Sequence, residues 1–211
     1  MNQVASLTAE SAARAKPSQK ISYKEFLERY DGVFAEWVEG EIEMGMPVSR
    51  QHADDSGFLE TLLRFFADAR DLGKVYSAPF QMRLADQERG REPDVLFISK
   101  SNEHRLTPQY LDGPADIAIE ILSPESIGRD RGDKFVEYEA AGVREYWLID
   151  PERKQAEFYA LDDDNRYKLI FGGREGKFES SVLNGFFLQV EWLWQQPMPK
   201  VPGALKELGV L

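Results

Sequence analysis

Residues 116–151 constrain the fold of this chain more than any other segment. An apolar run at 117–119 is followed by a helical pattern from about 130 to 141 and by a second strand-like run at 143–150. Two strands joined by more than about a dozen residues with a helical pattern are typical of a βαβ unit, whose strands are parallel. Apolar runs of this kind occur in strands that are covered on both faces. The segment therefore predicts an α/β fold.

The helix of this unit carries signals at both ends. Asp130 can cap its N-terminus, and Asp133 gives an arrangement similar to a capping box. Gly142 stands where a left-handed C-terminal cap belongs. Lys134 and Tyr138 are four residues apart and share one face of the helix. We therefore expect Lys134 to reach back to the carboxyl edge of the sheet, where open α/β sheets bind ligands.

Length, composition and charge limit the class of protein. The 211 residues suit a single domain, which we place at residues 20–196, between a disordered arm at 1–19 and a C-terminal tail at 197–211. We find no apolar run of about eighteen residues, no apolar signal segment and no cysteine, so we expect a cytoplasmic protein with no membrane contact. The net charge of −11 argues against non-specific coating of nucleic acid and suits a site that concentrates divalent cations.

Elements outside the βαβ unit are predicted from hydrophobic periodicity and turn residues. Helices are expected at 22–30 and 52–72, and the second of them has Phe58, Phe65 and Phe66 on its core-facing side. Residues 86–91 are interpreted as a charged turn. The predicted strands are 33–37, 41–46, 75–78, 80–84, 93–98, 155–161, 167–171, 177–178 and 186–190. The strands at 155–161 and 167–171 predict an antiparallel hairpin after the βαβ unit.

Two acids lie at the ends of apolar runs. Asp94 opens the run at 93–98, and Glu120 lies inside the first strand of the βαβ unit, where a charge is costly unless it is paired or binds a metal. If these strands are antiparallel neighbours, the two carboxylates meet at one end of the sheet. Close carboxylates repel unless a cation lies between them, and oxygen ligands favour Mg²⁺ or Mn²⁺ over zinc.

Lys134 would join these carboxylates in a site for metal-assisted attack on a phosphate. Each residue also has a simpler explanation. Asp94 can cap a turn, Glu120 can pair with an arginine, and Lys134 can be a solvated helix residue. The convergence of all three is what favours a site.

Four stretches of the chain resemble a known family. They are EPDVLF at 92–97, IEILSPES at 119–126, Arg129-Asp130 with Lys134 and Tyr138, and AGVREYWLIDP at 141–151. Across residues 22–190 the chain resembles the Uma-type putative restriction endonuclease family, a branch of the PD-(D/E)XK nuclease superfamily. The resemblance implies a restriction-endonuclease-like core, a mixed β-sheet flanked by helices, and Mg²⁺-dependent hydrolysis of phosphodiester bonds in DNA.

The resemblance also implies roles for single residues. Asp94 matches the Asp of the motif, Glu120 matches its second acid, and the main-chain carbonyl of Ile121 is a further metal ligand. Leu122 occupies the position of the motif lysine, and Lys134 on the helix is the substitute. The displaced lysine and the negative charge keep an alternative open, a catalytically silent nuclease-fold protein that binds nucleic acid or assembles with other proteins. Because many related nucleases cut as dimers, we expect a homodimer.

An early acid often completes the site in this superfamily. The candidates are Glu36, Glu41 and Glu60, and the turn at 39–41 favours Glu41, for which a solvated edge-strand residue is an equally good interpretation. His52 matches a family position and would orient a water, contact phosphate or cap its helix.

The helix after Glu120 offers further candidates. Tyr138 follows Lys134 at a spacing that resembles a Gln-to-Tyr motif of recombination nucleases. The candidate phosphate contacts are Arg105, Arg129, Arg131 and Lys134, for which a solvated helix start is an equally good interpretation.

Overall fold

A six-stranded mixed sheet forms the centre of the structure, a computed structural model that describes residues 20–211. The arm predicted at 1–19 lies outside the described residues. The helices are α1 (Tyr23–Arg29), α2 (Arg50–Ala69), α3 (Ile127–Arg131), α4 (Asp133–Ala141) and α5 (Val201–Glu207). The strands are β1 (Ala35–Val38), β2 (Glu41–Met44), β3 (Gly73–Ser77), β4 (Gln81–Leu84), β5 (Arg89–Arg91), β6 (Val95–Ser99), β7 (Tyr110–Asp112), β8 (Ile117–Ile121), β9 (Glu145–Asp150), β10 (Gln155–Leu161), β11 (Tyr167–Gly173), β12 (Lys177–Glu179) and β13 (Phe187–Gln189).

The central sheet has the order β11-β10-β9-β8-β6-β3. β8 and β9 are parallel, with Ile117 opposite Glu145, and the other neighbours are antiparallel. The predicted βαβ unit is confirmed. The predicted hairpin is confirmed as β10 and β11, which extend the same sheet beyond β9.

Both faces of the central sheet are covered, as the apolar runs predicted. Trp147 and Ile149 of β9 face the core formed with α2, α5 and the β12–β13 pair. Tyr146 and Leu148 face the opposite core, which contains residues of α4 and of a second sheet. Successive side chains of a strand point to opposite faces, so one strand supplies both cores. Tyr146 and Trp147 are fully buried, so both are core residues.

The second sheet has the order β2-β1-β5-β4-β7. The two strands predicted at 75–78 and 80–84 are β3 and β4, which belong to different sheets. The prediction of a charged turn at 86–91 is wrong, because Arg89–Arg91 is β5 and the side chain of Arg91 is buried. The run of charges there reflects a buried ion-pair network instead of a solvated turn.

Three further expectations about helices need correction. The βαβ helix is two helices, because the backbone breaks at Gly132, and Asp130 is a buried residue of α3 instead of an N-cap. Phe65 is exposed, whereas Phe58 and Phe66 are buried as predicted. The tail predicted at 197–211 contains α5, whose Leu205 is buried in the core.

Other features of the helices agree with the sequence. Gly142 adopts a left-handed conformation with φ of 87° and ends α4, as its position predicted. The capping box of α1 is formed by Ser22 and Glu25. None of the described helices is long and apolar enough to cross a membrane.

Candidate active site

Strand pairing brings Asp94 and Glu120 together. Val95, the first residue of β6, pairs with Ile119 of β8, so Asp94 just before β6 lies opposite Glu120. The Ile121 N–H donates to Asp94 Oδ2 at 2.7 Å. The two strands are antiparallel neighbours, as the placement of the two acids required, and both carboxylates lie at the carboxyl end of β8.

Lys134 and Tyr138 both bind Glu120 from α4. Lys134 Nζ donates to Glu120 Oε1 at 2.9 Å, and the Tyr138 hydroxyl donates to the same oxygen at 2.9 Å. The four-residue spacing puts both side chains on one helix face, and all three side chains are buried. The prediction that Lys134 reaches back to the sheet edge is confirmed.

Three carboxylates surround the Lys134 ammonium group. Its Nζ lies 2.9 Å from Glu120, 3.1 Å from Glu36 and 3.3 Å from Asp130. Burial alone would lower the pKa of Lys134, but the negative charges of these neighbours outweigh burial and raise the pKa above its ordinary value. Lys134 therefore stays protonated, and it can stabilise negative charge or hold a water but cannot accept a proton.

Burial raises the pKa of Glu120 well above its ordinary value; the Lys134 ammonium opposes this rise, whereas Asp130, Asp94 and Glu36 add to it. The pKa of the Tyr138 hydroxyl is also raised, because the group is buried and lies beside the Glu120 charge. Tyr138 is therefore a hydrogen-bond donor to Glu120. A cation bound beside Glu120 would lower this raised pKa, because it would stabilise the ionised form of the carboxyl group.

Glu36 connects this cluster to a second ion-pair network. Its carboxylate accepts a hydrogen bond from Arg91 Nη1 at 2.9 Å, besides its contact with Lys134. Burial raises the pKa of Glu36, but the charges of Lys134 and Arg91 outweigh it and hold the pKa at about 2. Arg91 also makes two hydrogen bonds to Glu137 of α4, at 2.8 and 3.0 Å. The network fixes α4, and with it Lys134, against the second sheet.

His52 contacts the other carboxylate. Its Nε2 lies 3.2 Å from Asp94 Oδ2, while the buried Nδ1 has no hydrogen-bond partner among the described residues. Burial would lower the pKa of His52, but its hydrogen bond to Asp94 raises it above the ordinary value. The helix-capping interpretation is wrong, because the Ser49 side chain caps α2 by accepting from the His52 N–H.

The acids open into a cleft of about 810 Å³. One wall is formed by residues 43–49 with Gln51 and His52, and the other by residues 120–126 with Arg129, Asp130 and Lys134. Asp94, Glu36 and Glu92 also line it. The cleft gives a substrate access to the otherwise buried carboxylates.

The remaining candidates from the sequence differ in whether they reach the cleft. Glu41, the favoured early acid, is exposed at the start of β2, and Glu60 pairs with Arg64 on α2 at 2.6 Å. Of the four candidate phosphate contacts, Arg129 and Lys134 line the cleft. Arg131 pairs with Glu157 at 2.6 Å, and Arg105 donates to the Pro114 carbonyl at 3.2 Å.

The oxygen donors fit a divalent cation that keeps several waters. Among the described residues, no group of three His, Asp or Glu side chains is arranged to hold a metal ion. Asp94 Oδ1 and Glu120 Oε2, however, accept no hydrogen bond from residues 20–211. The Ile121 carbonyl points to the same side of β8 as its N–H, which faces Asp94. Two carboxylates and a carbonyl suit Mg²⁺ or Mn²⁺.

The family of the chain follows from comparison with known proteins. Residues 23–191 match the profile of the Uma2 family, described as "Putative restriction endonuclease". The chain belongs to this family. Over 157 residues it is 24% identical to the uncharacterized protein slr1290 of Synechocystis sp., a match that covers 73% of this chain and 81% of that protein.

A solved structure agrees with the fold expected of an Uma2 protein. The crystal structure of a putative nuclease belonging to DUF820 from Anabaena variabilis superposes with a TM-score of 0.70. The match has 17% sequence identity and covers 82% of this chain and 97% of that chain. The α/β fold with mixed sheets flanked by helices, predicted from the sequence, is therefore confirmed.

Proposed function

We propose that this Uma2 protein is a metal-dependent endonuclease that hydrolyses phosphodiester bonds in DNA. The observation that carries the proposal is the convergence of Asp94, Glu120 and Lys134 at one end of the cleft. Membership of a restriction endonuclease family supports the reaction class. A homodimer and a cytoplasmic location, both expected from the sequence, belong to the same proposal.

Asp94, Glu120 and the Ile121 carbonyl would hold the Mg²⁺ or Mn²⁺ ion. A cation bound there lowers the pKa of a water and offsets the negative charge that develops on the phosphate. The Ile121 N–H and His52 fix the orientation of Asp94, and Tyr138 does the same for Glu120. Such contacts to the far side of a ligand group orient it and tune its affinity.

Lys134 acts in this proposal through its charge. Because three carboxylates keep it protonated, its ammonium group can donate to the attacking water or to a phosphate oxygen. Water attacks phosphorus, the bond from phosphorus to the leaving sugar oxygen breaks, and the products are a phosphate monoester and a hydroxyl. Lys134 on α4 thus takes the role of the motif lysine, whose position in the sequence is occupied by Leu122.

A catalytically silent nuclease-fold protein is the second candidate. The observation that favours it is that Lys134 and Asp94 Oδ2 already have protein partners, as they would in an inert structural network. The net charge of −11 points the same way. Such a protein would bind nucleic acid or other proteins without cutting.

Nicking of a negatively supercoiled plasmid, whose duplex opens locally into unpaired segments, tests the proposal in Mg²⁺ or Mn²⁺, with chelator as control. Wild type should cut, and Asp94→Asn, Glu120→Gln and Lys134→Met should each lose at least about 100-fold in rate, the range for removing one electrostatic contact to a transition state. Glu41→Gln is the matched control, because it removes an exposed carboxylate outside the cleft. Equal cutting by the site variants would assign the activity elsewhere. Absence of Mn²⁺ binding to wild type by calorimetry would contradict the metal site itself.

A further inference from the structure

The cleft wall that faces residues 120–126 is apolar where it meets solvent. Met44, Met46 and Val48 are 55%, 64% and 50% exposed, and all three line the cleft that holds Asp94 and Glu120. Single exposed apolar residues are ordinary, but three at alternate positions of one short segment indicate a contact surface. Met44, Met46 and Val48 are called the apolar lip below.

Phe34 places an aromatic ring beside the apolar lip. The ring lines the same cleft and is half-buried. It lies so close to Gly45 that a Cβ at that position would collide with it, and the Gly45 N–H donates to the Phe34 carbonyl at 2.8 Å. The backbone therefore holds the ring in place, which reduces the entropy lost when a planar group stacks on it.

The charges of the cleft do not suit a duplex. Eight acidic side chains line it, against three basic ones, Arg129, Lys134 and His52, and His52 is paired with Asp94. Lys134 is engaged by three carboxylates, and Arg129 Nη1 lies 3.4 Å from Glu43. Proteins that track a duplex neutralise several phosphates with Lys and Arg. Within residues 20–211, this cleft offers no row of free cations for that purpose.

We infer that the cleft takes an unpaired nucleic-acid strand, with a base stacked on Phe34 and the apolar lip and the adjoining phosphate directed to Asp94, Glu120 and Lys134. This inference rests on the proposed nuclease function and names its substrate class. Unpaired strands offer base faces for stacking and release fewer counterions per neutralised phosphate than a duplex does, so a cleft with few cations suits them better. A volume of about 810 Å³ lies in the range of small-molecule pockets and therefore accepts a short piece of one strand.

Fluorescence anisotropy in chelator, where no cleavage occurs, tests the inference. The probes are a labelled oligothymidylate of about 12 nucleotides and a duplex of the same length at one ionic strength. The single strand should bind roughly tenfold more tightly than the duplex. The double variant Met46→Ala/Val48→Ala and the variant Phe34→Leu should each weaken single-strand binding about fivefold, without changing its salt dependence, since no charge is removed.

Matched controls separate the lip from general surface effects. Val136→Ala on α4 and Leu169→Ala on β11 alter side chains that are 63% and 54% exposed and do not line the cleft, so binding should be unchanged. Gly45→Ala displaces the Phe34 ring without removing it and should weaken binding as Phe34→Leu does. Circular dichroism checks that each variant is folded.

Three results would overturn the inference: tighter or equal duplex binding, no binding of either probe, or lip variants that bind like the controls. Cleavage in Mn²⁺ is scored separately. Lip-dependent single-strand binding without cleavage by wild type would refute the endonuclease and leave the strand inference standing. Preferential binding and cutting of the duplex would refute the single-strand inference and support the endonuclease.

Discussion

Glu120 and Glu145 are both buried glutamates on the adjacent parallel strands β8 and β9, yet their surroundings differ. Glu145 opens β9 at the amino edge of the sheet, whereas Glu120 lies near the carboxyl edge and on the opposite face. Both Glu145 oxygens are occupied by neutral donors. These donors are Trp147 Nε1, Ser180 Oγ, Ser181 N and Oγ, and Val182 N, at 2.6–3.0 Å.

Glu120 has a cation and unused capacity instead. Its Oε1 accepts from Lys134 and Tyr138, while Oε2 accepts no hydrogen bond from the described residues and the side chain lines the cleft. Burial of an acid therefore does not by itself indicate function. Glu145 is saturated by the donors that tie β9 to residues 180–182, and Glu120 retains an oxygen for a ligand.

The largest effects are expected at the two glutamates: a variant of Glu120 should lose activity, and a variant of Glu145 should lose stability. Glu120→Gln should lower the nicking rate by at least about 100-fold while changing the free energy of unfolding by less than about 1 kcal/mol, because the amide oxygen still accepts from Lys134 and Tyr138. Glu145→Ala should cost about 3 kcal/mol of stability by leaving its donors unpaired, with the rate unchanged while the protein is folded. Chemical denaturation and plasmid nicking measure the two quantities.

Loss of activity in Glu145→Ala at full stability would contradict these roles, and so would a Glu120→Gln variant that is destabilised while its folded fraction still cuts. Glu145→Gln is the intermediate control, because it keeps one acceptor oxygen and should therefore cost less than Glu145→Ala.

Asp55 on α2 is a third buried acid, with neither the several donors of Glu145 nor the cation of Glu120. Its Oδ1 accepts from Gln51 at 3.0 Å, and its buried Oδ2 has no partner among the described residues. Burial raises the pKa of Asp55 from its ordinary value of 3.8 to about 7. Between these pH values the folded state holds a proton that the unfolded state has lost, so stability falls as pH rises from about 4 to about 7.

Asp55→Asn should remove the part of this fall that comes from Asp55, while buried Glu92 and Glu120, whose pKa values are also raised, continue to contribute. The variant and wild type should be equally stable near pH 4, and the variant should be more stable by about 2 kcal/mol at pH 8, less than the full shift implies because the helix can relax around the charge. Thermal or urea unfolding across this range measures the difference. Asp68→Asn, at an exposed position further along α2, should leave the profile of wild type unchanged, and an Asp55→Asn profile that runs parallel to that of wild type would contradict the prediction.

Site residues that belong to local sequence patterns can be predicted from the sequence, whereas contacts between residues far apart in the chain cannot. Asp94, Glu120 and Lys134 could be placed because each belongs to a local pattern, an apolar strand or a four-residue helical spacing, and one strand pairing brings these patterns together. Arg91 could not, because its partner Glu36 is 55 residues away and both lie in short strands with surface-like composition.

Local patterns also failed where tertiary packing selects between them. Phe65 and Phe66 both fit a wide helical stripe, but only Phe66 faces the sheet. Prolines suggested a tail after residue 196, although Pro202 in the first turn is compatible with α5 and Leu205 docks in the core. Gly132 divides the βαβ helix and makes Asp130 a buried residue of α3, which a single helix capped by Asp130 did not predict.

The smallest expected effects separate Glu36 from Glu41, the early acid favoured by the resemblance. Glu36→Gln should lower the nicking rate about tenfold, because Lys134 and Arg91 each lose one anionic partner but keep others, so the lysine is held less firmly. Mn²⁺ affinity should stay the same, since Glu36 orients the lysine and is not assigned to the ion. Glu41→Gln should change neither rate nor stability by more than about 0.5 kcal/mol, because its side chain is exposed. A loss of nicking rate in Glu41→Gln but not in Glu36→Gln would assign the early acid of the site to Glu41. Reduced Mn²⁺ binding by Glu36→Gln would make Glu36 a metal ligand.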